Sequence, residues 1–310
     1  MSYKPEGYRI GEVENNELLS TMAGLERALE RQKTVEAVAL LCDSDLTLHF
    51  DLGGVHAIMP RNEVQYEHDG KETKDIAILT RVGKPTCFKI LGFRRDKSNE
   101  VYAVLSRKAA QRECYYQFID ALSPGDILPA RITHLESFGA FVDIGCGIIS
   151  LLPIDAISVS RIAHPRDRFQ TGERIWVVVK NIDHDGRIYV TQRELLGTWL
   201  ENASRFSTGQ TVAGIVRSVE TYGIFIELMP NLAGLAEWKE GVEVGMQAAV
   251  YIKSILPEKM KLKLVLIDTH HAAAQHTPLP YFVDAKRQMH ISVWRYSPPV
   301  CPKIIETIFS

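Results

Sequence analysis

The chain is poor in several features that would assign it to common classes. It has five cysteines, Cys42, Cys87, Cys114, Cys146 and Cys301, an odd number with no C-x-x-C pair. That excludes a disulfide framework or a cysteine-based zinc site and fits reduced thiols. No run of about 18 apolar residues is present, so no helical membrane span is expected. Met1 to Gly11 is polar without an apolar core, so no signal peptide is expected either. Charge of either sign is not in excess: 36 Lys+Arg stand against 38 Asp+Glu, a formal net charge of −2. Nor is a basic module hidden in an acidic chain. Residues 123–196 hold 8 Lys+Arg and 9 Asp+Glu, and residues 207–270 hold 6 and 7. A protein binding polyanions by charge alone is excluded; any nucleic-acid contact must lean on stacking and a local patch, with a shallow salt dependence. No phosphate-cradling glycine loop, nucleophile elbow or cluster of carboxylates at useful spacing occurs, so no catalytic residue is expected. His270, His271, His276 and His290 follow no ligand spacing, so neither a metal site nor a cofactor is expected.

What the chain does contain is repetition. Phe138-Gly139-Ala140-Phe141 and Tyr222-Gly223-Ile224-Phe225 lie 84 residues apart. The same offset separates Gly125 from Gly209 upstream. An acid-aliphatic pair follows each tetrad, Asp143-Ile144 and Glu227-Leu228. A fixed period means one structural module used more than once. On a flat strand, positions i and i+3 face opposite sides. A glycine between the two rings permits a bulge or bend that brings both to one face.

Hydrophobic periodicity divides the 310 residues into modules. Residues 15–33 read as a helix capped by Asn15 or Asn16, with Leu18, Leu19, Met22, Leu25, Ala28 and Leu29 at helical spacing, inside an N-terminal arm of 1–33. Residues 34–108 read as short strands, including Thr47 to Leu52 ending at Gly53-Gly54, then 86–93 and 101–105. A connecting helix spans 109–122. Residues 123–194 hold five strands: 127–135, 139–144, 148–152, 174–182 and 187–191. Five short strands in about 70 residues, with one longer irregular connection at 157–172, predict a small Greek-key barrel of OB type. A short helix follows at 195–206, a third barrel at 207–270, and a C-terminal extension at 271–310 packed on that barrel. In the extension, 282–284 and 290–294 are expected to pair as a hairpin, with 304–309 a last strand or turn. The fold class is therefore mainly β: three tandem five-stranded barrels with short connecting helices.

The first module aligns with the second through Asp51-Leu52-Gly53 and Asp143-Ile144-Gly145, Met59-Pro60 and Leu152-Pro153, and Tyr102 beside Tyr189. It has Leu46-Thr47-Leu48-His49 where the tetrad would stand. Around the turn between the last two strands of the second module lie Lys180, Asp183 and Arg187; Lys253 and Lys261 take the corresponding places in the third. His184-Asp185-Gly186 reads as a β-turn. A cation beside stacked rings serves a phosphate or lies over a base, and aspartate orients an arginine through a charge-assisted bond. Arg131 and Arg217, on first strands, are weaker candidates.

These residues resemble a known family. FGAF, VDIG, VVVKNID and GRIYVT, within 125–191, resemble the S1 RNA-binding domain of bacterial ribosomal protein S1. YGIFIEL, NLAGLAE and VYIKSILPEKMKLKL, within 222–264, resemble another copy. GGVHAIMPRNEV and VLSRKAAQ in the first module are similar to the family's degenerate leading repeats. The resemblance implies an RNA face of Phe138, Phe141, Asp183 and Arg187, with Pro153 in place of the usual histidine. In the third repeat it implies Tyr222, Phe225 and Lys261, with Glu237 in place of the histidine. It implies a cytoplasmic, monomeric, non-enzymatic protein that binds single-stranded RNA, its expected partners being mRNA and the small ribosomal subunit, with no membrane partner. The first repeat, almost without this face, is expected to contact the ribosome or pack rather than bind RNA. The alternatives are a protein-interaction scaffold on the ribosome or an RNA-decay complex, and a nuclease with accessory S1 modules. The latter is disfavoured because the barrels leave no room for a catalytic domain.

Overall fold

A computed structural model describes residues 3–67, 73–184, 186–271 and 278–309. The chain divides into two compact units, Met1–Leu122 with Asp143–Ile149, and Ser123–Val142 with Ser150–Ser310.

In the first unit the expected single N-terminal helix is two: α1 (Val13–Leu19) and α2 (Met22–Glu30). The break falls at Ser20-Thr21, where the Thr21 hydroxyl caps α2 by accepting the Gly24 N–H. The two helices approach so closely that a Cβ on Gly24 would lie 2.6 Å from the Glu17 carbonyl oxygen. Asn15 is not a cap. It is buried inside α1, where its side chain donates to the Glu36 carbonyl (2.9 Å) and accepts the Glu36 N–H (2.8 Å). Leu18, Leu25 and Ala28 close over the first sheet, as their spacing predicts.

That sheet has six strands rather than five: β1 (Val35–Val38), β2 (Leu41–Cys42), β3 (Leu48–Leu52), β4 (Val55–Met59), β5 (Pro85–Arg95) and β6 (Val101–Ser106), in the order β1-β5-β6-β4-β3-β2. This is the OB order with its first strand cut in two. β1 pairs with β5, β2 pairs with β3, and the chain crosses between them at buried Ala39. There the Ala39 carbonyl accepts the Gly83 N–H (2.8 Å) while the Leu40 N–H turns to the His49 carbonyl (2.8 Å). A short helix, α3 (Asp75–Leu79), precedes β5, and α4 (Arg107–Gln117) follows β6, its start capped by Ser106.

The N-terminal arm is tied into this unit by charge. The Glu6 carboxylate is buried and accepts from Arg107 Nε (2.6 Å), Arg81 (2.6 Å) and the Cys87 N–H (3.1 Å). Burial opposes its ionisation, but the two guanidiniums prevail and hold it at about 2, below its ordinary 4.5. A depressed carboxylate contributes stability that is present above the ordinary value and lost as pH falls toward 2. Glu6→Gln is therefore expected to lower the melting of this unit at neutral pH and to flatten its acid dependence below 4.5. Calorimetry across that range is the test, and an unchanged acid limb would refute the assignment.

In the second unit, β7 (Ile127–Glu136), β8 (Gly139–Asp143), β9 (Ile149–Pro153), β10 (Arg174–Ile182) and β11 (Ile188–Thr191) form a closed barrel in the order β10-β11-β9-β8-β7. Alternating Leu128, Ala130, Ile132, Val177 and Val179 fill it. The linker is α5 (Trp199–Ala203), shorter than the reading of 195–206, preceded by a 3-10 turn at Arg193–Leu196. A capping box between Thr198 and Glu201 sets its start. A second closed barrel follows: β12 (Thr211–Glu220), β13 (Gly223–Met229), β14 (Leu232–Ala236), β15 (Gln247–Leu256) and β16 (Lys261–His270), in the order β12-β13-β14-β16-β15.

Buried polar contacts hold the two barrels of this unit together. Asn231, fully buried, accepts the Val159 N–H (2.9 Å) and donates to the carbonyls of Arg193 (2.7 Å) and Gly197 (2.8 Å). Glu227 accepts from both Arg168 (2.5 Å) and Arg217 (2.9 Å).

The expected tail hairpin does not form. Val293–Arg295 (β17) pairs instead with Glu306–Ile308 (β18), so the candidate last strand takes the place of residues 282–284. Those residues are used elsewhere. The Phe282 N–H donates to the Leu195 carbonyl (2.9 Å), and its ring fills the space over Gly197 and under Arg205. The tail touches both barrels, through Tyr281 to Trp176 and through Tyr296 to Asn231. Among the described residues no helix is long and apolar enough to cross a membrane, and no group of three His, Cys, Asp or Glu side chains is placed to hold a metal ion. His290 is engaged with Asp126 (2.9 Å); His276 lies outside the described residues.

Candidate nucleic-acid interface

The two tetrads build the same object twice. The Phe138 and Phe141 ring centroids are 6.0 Å apart at 89°, and those of Tyr222 and Phe225 are 6.1 Å apart at 86°. In each pair the leading ring is thrust into solvent, Phe138 at 54% and Tyr222 at 67% exposure, while the second is half-buried. Edge-to-face geometry leaves an open π-face for a further ring.

The glycine between the rings does a different job from the one its spacing suggested. At Gly223 the ladder runs without a slip, Glu220 pairing with Gly223 and Val219 with Ile224. β8 and β13 begin at these glycines, and the leading ring belongs to the preceding two-residue turn, so the rings are not i and i+3 of one strand. Glycine is required because the third strand passes too near. A Cβ on Gly139 would lie 2.5 Å from the Leu152 carbonyl oxygen, and one on Gly223 2.5 Å from that of Ala236. Gly223 also has φ +151°.

The fourth strands of both barrels do carry a bulge. The β10–β11 register slips between Val179 and Asn181, and the β15–β16 register between Ile252 and Ser254. Lys180 and Lys253 are the residues left over. A bulged residue leaves the alternation of its strand, which re-aims its side chain. Arg187 precedes β11 in a turn closed by Asp183, whose carboxylate accepts the Arg187 backbone N–H (2.9 Å) and whose N–H reaches the Arg187 carbonyl (3.0 Å). The aspartate thus shapes the turn through the backbone; Asp185, in the expected β-turn, lies outside the described residues. Lys261 opens β16 opposite Leu256 and is exposed.

Register also brings in residues that periodicity missed. Asn181 pairs with Tyr189 and Ser254 with Lys263 directly after each bulge, so Tyr189 and Lys263 are equivalent. Phe225 pairs with Leu235, and Leu235 with Lys263, so the lysine lies two strands from the ring along one row of the sheet. His134 stacks beside Phe141 at 6.4 Å and 28°. Trp238 is 56% exposed just past β14. Its counterpart Ile154, 84 residues earlier, donates its N–H to the Phe138 carbonyl (3.0 Å). An exposed tryptophan at the end of NLAGLAE was the available signal for that residue; the others needed the ladders. Arg217 is drawn away from the face, bonded to Glu227 and 3.4 Å from Asp167, and Arg131 donates to the Gly172 carbonyl (3.2 Å).

Two closed OB barrels with paired rings at the first hairpin define a class, and the comparison with known proteins agrees. Residues 122–192 match the family model of the S1 RNA binding domain. The match covers the second module, the first of the two closed barrels. Among characterised proteins the chain is similar to the small ribosomal subunit protein bS1. It is 28% identical to the homologue from Bacillus cereus over 235 residues, covering 71% of this chain and 56% of that protein. It is 30% identical to the Rhodopseudomonas palustris protein over 61% of this chain and 33% of that one. It is 35% identical to the Leuconostoc lactis protein over 43% of this chain and 32% of that one. The chain therefore spans about half, or less, of the length of these relatives.

Proposed function

We propose that this protein binds single-stranded RNA, mRNA in particular, along the ring-bearing faces of its two closed barrels, and that it works in translation at the small ribosomal subunit. It acts as a cytoplasmic monomer, without catalysis. The observation that carries the reading is the pair of edge-to-face ring sets reproduced within 0.1 Å and 3° of each other in two barrels. Solvent-directed rings in duplicate are a stacking platform for successive bases, and stacking tolerates any base sequence. Arg187, Lys261, Lys180 and Lys253 supply phosphate contacts, and Asp183 holds the turn that carries Arg187. The near-zero net charge fits a binder that relies on rings more than on counterion release.

The test is an anisotropy titration with a uridine-rich oligonucleotide at salt concentrations from about 50 to 200 mM. About four phosphate contacts predict a log–log slope near −3 for a single strand. Of the four tryptophans, Trp238 alone is largely exposed, so binding should also quench part of the tryptophan emission, and Trp238→Ala should abolish that quench. No binding at the lower salt would end the proposal. A slope of about −7 or steeper would replace stacking by charge as its basis.

A further inference from the structure

The first module lacks a tetrad, yet its equivalent face is not blank. We infer that it carries a second, independently built site for unpaired RNA bases, made of His49, His56 and Tyr102. This rests on the RNA-binding reading for the class of ligand.

The argument is positional and chemical. Asp51-Leu52-Gly53 matches Asp143-Ile144-Gly145, which puts His49 where the second barrel has Phe141. The third and fourth-to-fifth strand ladders then locate the others. β5 and β6 carry the same register slip as the other modules, here between Ile90 and Gly92. Counting from it, Gly92 with Val104 corresponds to Asn181 with Tyr189 and to Ser254 with Lys263. Two residues further along, Tyr102 takes the place of Arg187 and Lys261. The sequence alignment had set Tyr102 beside Tyr189; the ladder corrects that. His56 faces Asp51 on the neighbouring strand β4.

These three side chains form a continuous ring surface. His49 and His56 stack at 5.2 Å and 23°, and His56 lies 6.4 Å from Tyr102 at 49°. The surface is held rigid from beneath. Asp43 Oδ2 lies 2.8 Å from His49 Nε2, and His49 Nδ1 lies 3.0 Å from His56 Nε2. The neutral arrangement satisfying both has His49 donating from Nε2 to the carboxylate and accepting at Nδ1 from His56. Asp43 is itself fixed by the N–H groups of Asp45 (3.0 Å) and Thr47 (2.9 Å). His56 remains exposed. Next to Tyr102 the end of β5 carries exposed Arg94 and Arg95, and the loop that follows carries exposed Lys97, with Asp96 and Glu100 partly offsetting them. In an OB barrel that loop borders the ligand face, so these cations stand where a phosphate backbone would run. A preorganised aromatic surface, a basic rim and the position equivalent to the stacking site proposed above together specify unpaired nucleotides as the occupant.

The test uses the full chain with both tetrads silenced (Phe138→Ala, Phe141→Ala, Tyr222→Ala, Phe225→Ala) and an oligouridylate of about eight nucleotides. This background should keep weak binding, and adding His49→Ala, His56→Ala and Tyr102→Ala should reduce it about fivefold or more. In the wild-type chain the oligonucleotide should shift the imidazole resonances of His56. If the wild type binds no RNA, the proposed function itself fails. If the wild type binds but the background does not, or the three further substitutions change nothing, this inference alone is overturned. Loss of co-sedimentation with small ribosomal subunits, with oligonucleotide affinity kept, would also overturn it and make the face a protein contact. The single variant His56→Ala, exposed and outside the core, guards against misfolding as the cause of any loss.

Discussion

Replacing Phe138 and Phe141 together with alanine should weaken the binding of unpaired RNA at least tenfold. Each stacked base is worth about 1–3 kcal/mol by alanine substitution, and both rings of this set are removed. The barrel should survive. Phe138 is mostly in solvent, and the Thr133 hydroxyl donates to the Phe141 backbone carbonyl (3.0 Å), a bond that alanine keeps. Thus a loss of affinity without a loss of folding is expected by circular dichroism. Tyr222→Ala with Phe225→Ala should cost less, because the third barrel has lysine for Arg187 and lacks an Asp183 counterpart. Charge substitutions should behave differently. Arg187→Ala should lower affinity severalfold and make the salt slope shallower by about 0.7, whereas the ring variants should leave the slope unchanged. An aromatic double variant that binds like the wild type would dismiss stacking as the source of affinity.

Glu227→Ala should be the most destabilising single change in the second unit, by about 3–5 kcal/mol. It strips the carboxylate from Arg168 and Arg217, whose side chains are 4% and 9% exposed, and leaves two guanidiniums buried without it. Burial presses the Arg168 guanidinium below its ordinary range, and the Glu227 carboxylate opposes that push. All four tryptophans lie in this unit, so urea denaturation followed by their emission reports on it directly. Replacing Arg168, Arg217 and Glu227 together by Met, Met and Leu should recover much of the loss, because the cost lies in unpaired charge rather than in a missing attraction. A shift below about 1 kcal/mol for Glu227→Ala would show that water reaches the pair and screens it.

Much of this molecule is visible in its residues. The strands of the second module follow from period-two alternation, and their observed limits differ from expectation by a residue or so. The tetrads announce their own repetition. The failures share one cause, which is that local pattern carries no information about partners. The spacing from Leu18 to Leu29 is helical throughout, yet the Thr21 cap and the close packing of α1 against α2 at Gly24 split it. Residues 282–284 looked like a strand, but Phe282 had a better place over Gly197. The strand alternation around residues 35–42 cannot reveal that its two halves pair with different neighbours.

The functional faces divide in the same way. The sequence by itself determined that two modules carry paired rings, that cations gather near the turns before the last strands, and that charge is too balanced to act alone. Those properties reside in residue type and spacing. Tertiary structure decided which side chains share a surface. The slips at Lys180, Lys253 and Leu91 shift the fifth-strand partners, and with them the places of Tyr189, Lys263 and Tyr102. It also decided why Gly139 and Gly223 must be glycine, since the atoms that exclude a Cβ are carbonyl oxygens of a different strand. Hydrogen-bond register is a property of two segments at once, and no reading of either alone contains it.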